Sequence, residues 1–248
     1  MSELGGKVAI VTGAGRNIGR AIAVALADAG AAVTVIARSN KAEADAVVKE
    51  IEAKGGKALA QLADIADARA VQAAAYATLK AFGRIDCLIN NAAIRREKNI
   101  GEMGYDDWRE VMAVTLDGAF HCVKACLPAL KKNGGTIINI GGMSAHLGSK
   151  DRAHVMAAKL GLVGFTRGLA HDLAGDGITV NCVVPGAIET ARAKSAQTPA
   201  HHLTHGTITG ERGKPEDVAA MVRFLCGPGA RHLTGQTLHV NNGAYLGS

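Results

Sequence analysis

Residues 7–20 read KVAIVTGAGRNIGR: an apolar β-branched run, a glycine turn from Gly13 to Gly19, and the start of a helical pattern at Arg20. A tight glycine turn between a strand and a helix lets backbone N–H groups and the helix N-terminus face a pyrophosphate. The spacing here, Gly13-x-Gly15-x-x-x-Gly19, is one residue longer than the common GxGxxG fingerprint. Such a turn is weak evidence alone. It gains weight because strand, turn and helix follow one another as a βαβ unit requires.

The same alternation runs along the chain. Strands are expected at 7–12, 32–37, 58–63, 86–90, 136–140, 178–184 and 237–240, most of them apolar on both faces, as strands inside a parallel sheet are. Amphipathic helical patterns fill 20–29, 42–54, 68–82, 106–131, 152–174 and 215–226, and Gly30, Gly55, Gly83 and Gly134 stand where helices should stop. The pattern implies an α/β fold: a Rossmann-type doubly wound parallel sheet, covered by helices on both faces. No linker divides the 248 residues, so one domain, 1–248, is expected.

Composition narrows the function classes. Hydrophobic residues at 48% and charged residues at 20% are globular values, excluding a disordered or fibrous chain. The net charge of +6 raises the question of nucleic acid. However, the basic residues are scattered, and the dense run Arg95-Arg96-Glu97-Lys98 has no interleaved aromatics for base stacking. A solvated face or a small anionic ligand accounts for the charge better. The five cysteines form no CxxC pair and read as core thiols of a reducing compartment. No unbroken apolar stretch approaches the ~18 residues of a membrane span, and residues 1–7 lack an export pattern. A cytoplasmic protein without membrane or nucleic-acid partners is expected.

Further signatures follow in order. They are Asn90-Asn91-Ala92-Ala93, Asn181 with Pro185-Gly186-Ala187-Ile188-Glu189-Thr190, Arg212-Gly213-Lys214-Pro215-Glu216-Asp217-Val218 and Thr234-Gly235-Gln236. With the glycine turn, these resemble the short-chain dehydrogenase/reductase family over essentially the whole chain, and its 3-oxoacyl-ACP-reductase-like members in particular. The resemblance implies an oxidoreductase with a nicotinamide cofactor and a homotetramer.

The second strand ends at Ala37-Arg38-Ser39, where an NAD site usually places an acid for the ribose hydroxyls. Arg38 offers a guanidinium to a 2′-phosphate instead, and Arg16 can close on the same group, so NADP is expected over NAD. By the family resemblance, Gly13, Gly15, Asn17, Ile18, Gly19 and Ala92 cradle the cofactor and Ser39 adjoins its phosphate end. Asp64 and Ile65 border the adenine, and Asn90 and Lys159 the ribose. Pro185, Gly186, Ile188 and Thr190 flank the nicotinamide. Asn17 stands where the family has a glycine, and asparagine tolerates left-handed backbone angles better than most residues.

The chemical end departs from the family, whose reductases use Asn, Ser, Tyr and Lys. Lys159 fixes the register within Ala157-Ala158-Lys159-Leu160-Gly161. The resemblance then puts Val155 at the tyrosine, Gly142 at the serine and Thr115 at the asparagine. Of the four, only Lys159 remains. Candidate substitutes are Ser144, two residues past the missing serine, and His146, a side chain able to titrate near neutrality. Each is weighed against a plainer role, a loop-capping hydroxyl and a surface imidazole. An atypical oxidoreductase, a nucleotide-binding pseudoenzyme and non-redox chemistry in the same pocket stay open. Residues 191–212, rich in turn residues and carrying His201, His202 and His205, read as a substrate lid; no ligand set for a metal is complete there.

Overall fold

The computed structural model describes residues 2–190 and 206–247. Seven strands run β1 Val8–Thr12, β2 Ala32–Ala37, β3 Lys57–Leu62, β4 Cys87–Asn90, β5 Gly135–Ile140, β6 Ile178–Pro185 and β7 Thr237–Val240. All pair in parallel, in the order β3-β2-β1-β4-β5-β6-β7. The central β1 and β4 are buried along their whole length, while β3 and β7, at the edges, are only partly covered. That difference is why the inner strands read as unbroken apolar runs.

The helices are α1 Asn17–Asp28, α2 Lys41–Ala53, α3 Ala68–Phe82, α4 Tyr105–Met112, α5 Gly118–Asn133, α6 Ser144–Leu147, α7 Ala153–Leu173 and α8 Pro215–Cys226. One face of the sheet is covered by α1, α2 and α8, whose Ile22, Leu26, Val47, Ile51, Val222 and Leu225 share one core with Val11, Val35, Ile138 and Val183 of the strands. The other is covered by α3, α5 and α7 through Val71, Cys122, Cys126, Leu130 and Leu173. The expected glycine stops have φ of +98° at Gly30, +80° at Gly55, +79° at Gly83 and +66° at Gly134, a region costly for other residues.

Where a single helix is expected over 106–131, α4 and α5 are joined by a π-helical turn, Ala113–Asp117. The run Tyr105–Asn133 is 29 residues and contains an 18-residue window of mean hydropathy 1.2, long and apolar enough to cross a bilayer by those measures. Its Cys122, Val123, Cys126 and Leu130 are instead buried against the sheet, as in the core helix of a doubly wound fold.

Two sequence signatures serve the framework. Asn181 donates from its amide to Leu233 O (2.7 Å) and accepts from Gln236 N (3.1 Å), tying β6 to the turn before β7. Ile188 and Gly213 form a parallel bridge that pins the base of the excursion between them. Residues 191–205 of the expected lid, with its three histidines, lie outside the described residues.

A buried polar ladder links the middle of the sheet to α7. The Asn90 amide donates to Asn139 Oδ1 (2.9 Å), Asn139 Nδ2 donates to Thr166 Oγ1 (2.9 Å), and that hydroxyl donates to Leu162 O (2.8 Å). Removing the middle member leaves buried donors and acceptors unmatched, which costs about 1–3 kcal/mol. Asn139→Ala is expected to lower unfolding free energy by that amount, read as an earlier urea midpoint with unchanged slope.

Candidate functional site

The site begins where β1 and β4 end. Thr12 Oγ1 accepts the backbone N–H of Asn91 (3.0 Å) and of Ala92 (3.1 Å) and donates to Ile89 O (3.3 Å). The Asn91 amide donates in return to Thr12 O (2.9 Å) and Gly13 O (3.1 Å). This clamp draws the glycine turn against the loop after β4. A Cβ at Gly13 (φ +62°) would stand 2.9 Å from Ala92 Cα, and one at Gly19 would overlap the Gly13 carbonyl oxygen. Asn17 takes φ +50°, so asparagine does hold the left-handed position that the family gives to glycine.

Above the turn lies a cleft of about 900 Å³. Gly13, Gly15, Arg16, Asn17, Ile18, Gly19, Arg38, Ser39, Asp64, Ile65, Ala92 and Thr190 all line it. Its size, its backbone-lined floor and its place at the strand-order reversal suit an extended dinucleotide. Glu43, in the first turn of α2, also lines the cleft and packs beside Gly15. The reading of the strand-two terminus passed over this carboxylate because it stands beyond the strand, on the next helix.

A second cavity, about 90 Å³, opens beside the cleft at the ends of β5 and β6 and the start of α7. Its walls include Gly142, Ser144, Val155, Lys159, Pro185, Gly186 and Ile188, so those predicted positions come together. Lys159 is 93% buried by its 7% exposure, and its Nζ donates to Ile140 O (2.5 Å). Burial, then the positive charge of Arg95 and more weakly of Arg152, pushes its pKa down to about 7, against a smaller upward effect of Cys182. A Cβ on Gly142 would meet Lys159 Cγ at 3.9 Å and nothing closer, so the serine position is open space beside the lysine. Val155 is buried against Val111 and Ala158 and brings no polar atom. Thr115 sits within the π-helical turn, 2% exposed, and its hydroxyl has no hydrogen-bond partner among the described residues.

Two expected residues line neither cavity. Asn90 spends its amide on Asn139 inside the ladder, so the ribose-holding role does not fit its position; Asn91, one residue on, is the asparagine that lines both. His146 turns into a ring cluster, 4.8 Å from the His239 ring and 5.3 Å from the Tyr245 ring. Burial and the nearby Arg167 charge lower its pKa, which further disfavours it as an acid. Ser144 does reach the cavity, though as the first residue of α6 and not as a continuation of the strand.

Arg95 and Arg152 line both cavities and were not singled out as site residues. One signal was available: Arg152 occupies the N-cap of α7, where a short polar side chain is the usual choice.

A family model described as enoyl-(acyl carrier protein) reductase matches residues 13–245. A 3-oxoacyl-[acyl-carrier-protein] reductase of Synechocystis sp. is 42% identical over 248 residues, covering 99% of this chain and all of the relative. The chain is a short-chain dehydrogenase/reductase. Among solved structures, a Burkholderia cenocepacia short-chain dehydrogenase in complex with NADP superposes with a TM-score of 0.92 at 37% identity, covering 98% of this chain and 99% of that one. A blue fluorescent protein from a metagenomic library, in complex with NADPH, gives 0.91 at 38% identity, covering 98% and 100%. The family and the Rossmann-type fold expected from the sequence are therefore met.

Gly19→Ala tests the turn. Its Cβ cannot be placed without displacing the Gly13 carbonyl, so a loss of about 1–3 kcal/mol in stability is expected by urea denaturation, with nicotinamide binding abolished in calorimetry.

Proposed function

We propose that this short-chain dehydrogenase/reductase transfers a hydride between NADP(H) and a small carbonyl or alcohol substrate, with Lys159 taking over the proton-carrying role of the absent tyrosine. The observation that carries this reading is the placement of Lys159. It is buried on the wall of the smaller cavity, beside the empty serine position, with its pKa near neutrality. When bound, the cofactor supplies or accepts the hydride. One Lys159 N–H is engaged by the Ile140 carbonyl, and the ammonium has two more to offer a substrate oxygen. On reduction the carbonyl π pair moves to oxygen, which takes a proton from that ammonium; on oxidation the neutral amine takes it back. Ser144 stands in the same cavity as a second hydrogen-bonding group. Arg38 and Arg16, exposed at the cleft rim, favour the 2′-phosphate of NADP, whereas the Glu43 carboxylate in the same lining favours NAD.

A pseudoenzyme is the second reading, favoured by Val155 and Gly142, neither of which brings a proton donor to the cavity. The relatives bound to NADP or NADPH share the fold and do not separate the two readings. We also propose a homotetramer acting in the cytoplasm. All five cysteines are buried and unbridged, and α5 and α7 leave Phe120 and Leu160 exposed at 48% and 43%. Light scattering should then give the mass of four chains.

Two outcomes are expected. NADPH should bind more tightly than NADH in a fluorescence titration, and Arg38→Ala should cost NADPH about 1.5–3 kcal/mol, roughly ten- to hundredfold, with NADH unchanged. Lys159 must be protonated for reduction, so kcat/KM for reduction should fall as pH rises through about 7, and that for oxidation should rise. Lys159→Met should remove both limbs and lower turnover about 10²–10⁴-fold. A rate independent of pH between 6 and 9 defeats the lysine role. Absence of any NADPH oxidation across carbonyl, imine and enone panels favours the pseudoenzyme.

A further inference from the structure

We propose that the smaller cavity selects substrates bearing a carboxylate, small oxo acids or hydroxy acids, and that Arg95 and Arg152 are the residues that recognise the anion. The proposal takes its reaction from the oxidoreductase reading; the anion site itself stands without it.

The first observation is the charge census of the walls. Among the described residues lining the cavity there are three cations, Arg95, Arg152 and Lys159, and no carboxylate; the neutral polar side chains are Asn91, Ser144 and Thr190. Glu97 lines the larger cleft only, and Asp107 is engaged by Lys98 at 2.6 Å. Two of the three cations are more than nine-tenths buried, Arg152 at 6% exposure and Lys159 at 7%. Like charges sharing a small space repel, and both arginines disfavour the charged form of Lys159. A carboxylate entering the cavity converts that repulsion into attraction.

The second observation is geometric. Arg152 caps the N-terminus of the 21-residue α7, whose first turn holds no acid, so the positive end of the helix dipole adds to the guanidinium charge. Arg95 reaches the same cavity from the loop after β4 and is exposed, which places it at the mouth. A guanidinium carries five N–H donors in a planar fork suited to a carboxylate, enough to serve both protein and ligand. Lys159 then faces the carbonyl while the arginines face the acid, an arrangement that orients the reacting carbon.

The third is size. The cavity measures about 90 Å³ beside a cleft of about 900 Å³, which suits a small acid. Replacement of tyrosine and serine by Val155 and Gly142 removes hydroxyls that would otherwise orient the carbonyl, which leaves the charged groups to hold the substrate.

The test uses the full chain saturated with NADP⁺ and titrated calorimetrically with 2-oxobutyrate, acetoacetate, the methyl ester of each, and inorganic phosphate. At least one acid is expected to bind about tenfold or more tightly than its ester, and Arg95→Gln and Arg152→Gln each to weaken that acid about tenfold or more. Ester binding should not move, and any change in the NADPH dissociation constant should be smaller than the change in acid binding. Acid binding near pH 8 should also take up protons, seen as a dependence on buffer ionisation enthalpy, because an anion beside Lys159 raises its proton affinity. Exposed Arg95 tolerates substitution, so Arg95→Gln decides the matter even where Arg152→Gln fails to fold. Equal binding of acids and esters overturns the proposal, as does arginine-dependent binding of phosphate alone. So does a loss confined to NADPH, which would assign the arginines to the cofactor. Arginine-dependent acid binding without any NADPH oxidation sinks the redox reading and leaves the anion site. Oxidation of NADPH by neutral ketones alone does the reverse.

Discussion

The clamp between Thr12 and Asn91 is the joint on which the rest depends. The strand order reverses between β1 and β4, so the chain leaves these neighbours toward opposite faces and a crevice must open between their successors. The backbone groups exposed there need partners, and one hydroxyl and one side-chain amide supply them through five contacts to backbone groups across the joint. With the joint closed, the glycine turn can pack only if Gly13 and Gly19 lack a Cβ. The floor of the larger cleft and one wall of the smaller cavity both follow from that packing.

The chemistry sits at one remove, where α7 presents Val155 and Lys159 one turn apart. In the usual arrangement of the family the lysine works through a tyrosine. On the reading proposed above, the aliphatic Val155 fills that position and Gly142 stands beside the lysine, which leaves Lys159, with its pKa near neutrality, to carry the proton. The environment that makes it usable is desolvation reinforced by two neighbouring cations, with no carboxylate to hold it charged.

Much of this was legible in residue order. The βαβ alternation, the glycine stops and the tolerance of Asn17 for a left-handed angle are local effects, and local effects are written in local sequence. The failures share a different character. The π-helical turn at Ala113–Asp117 adds one residue to a helix whose apolar period barely changes, so nothing in the pattern marks it. Ser144 is a candidate as the residue two past the serine position and His146 for its imidazole, but α6 starts at Ser144 and sets the directions of both side chains. Asn90 is buried because β4 turns that face toward β5, a pairing only the tertiary structure supplies. Glu43, Arg95 and Arg152 come from separate elements and meet only once the sheet is assembled.

The two cavities are not separated by a full wall. Ile18, Asn91, Arg95, Arg152 and Thr190 belong to both, so whatever fills one reshapes and recharges the boundary of the other. Thermodynamic linkage then makes the two occupancies interdependent by the same free energy in either direction. Cofactor charge changes by one unit between its oxidised and reduced forms beside this shared boundary. On the proposed reading, that charge change would let the protein hold one redox partner of its substrate more firmly than the other and release the spent pair in a preferred sequence.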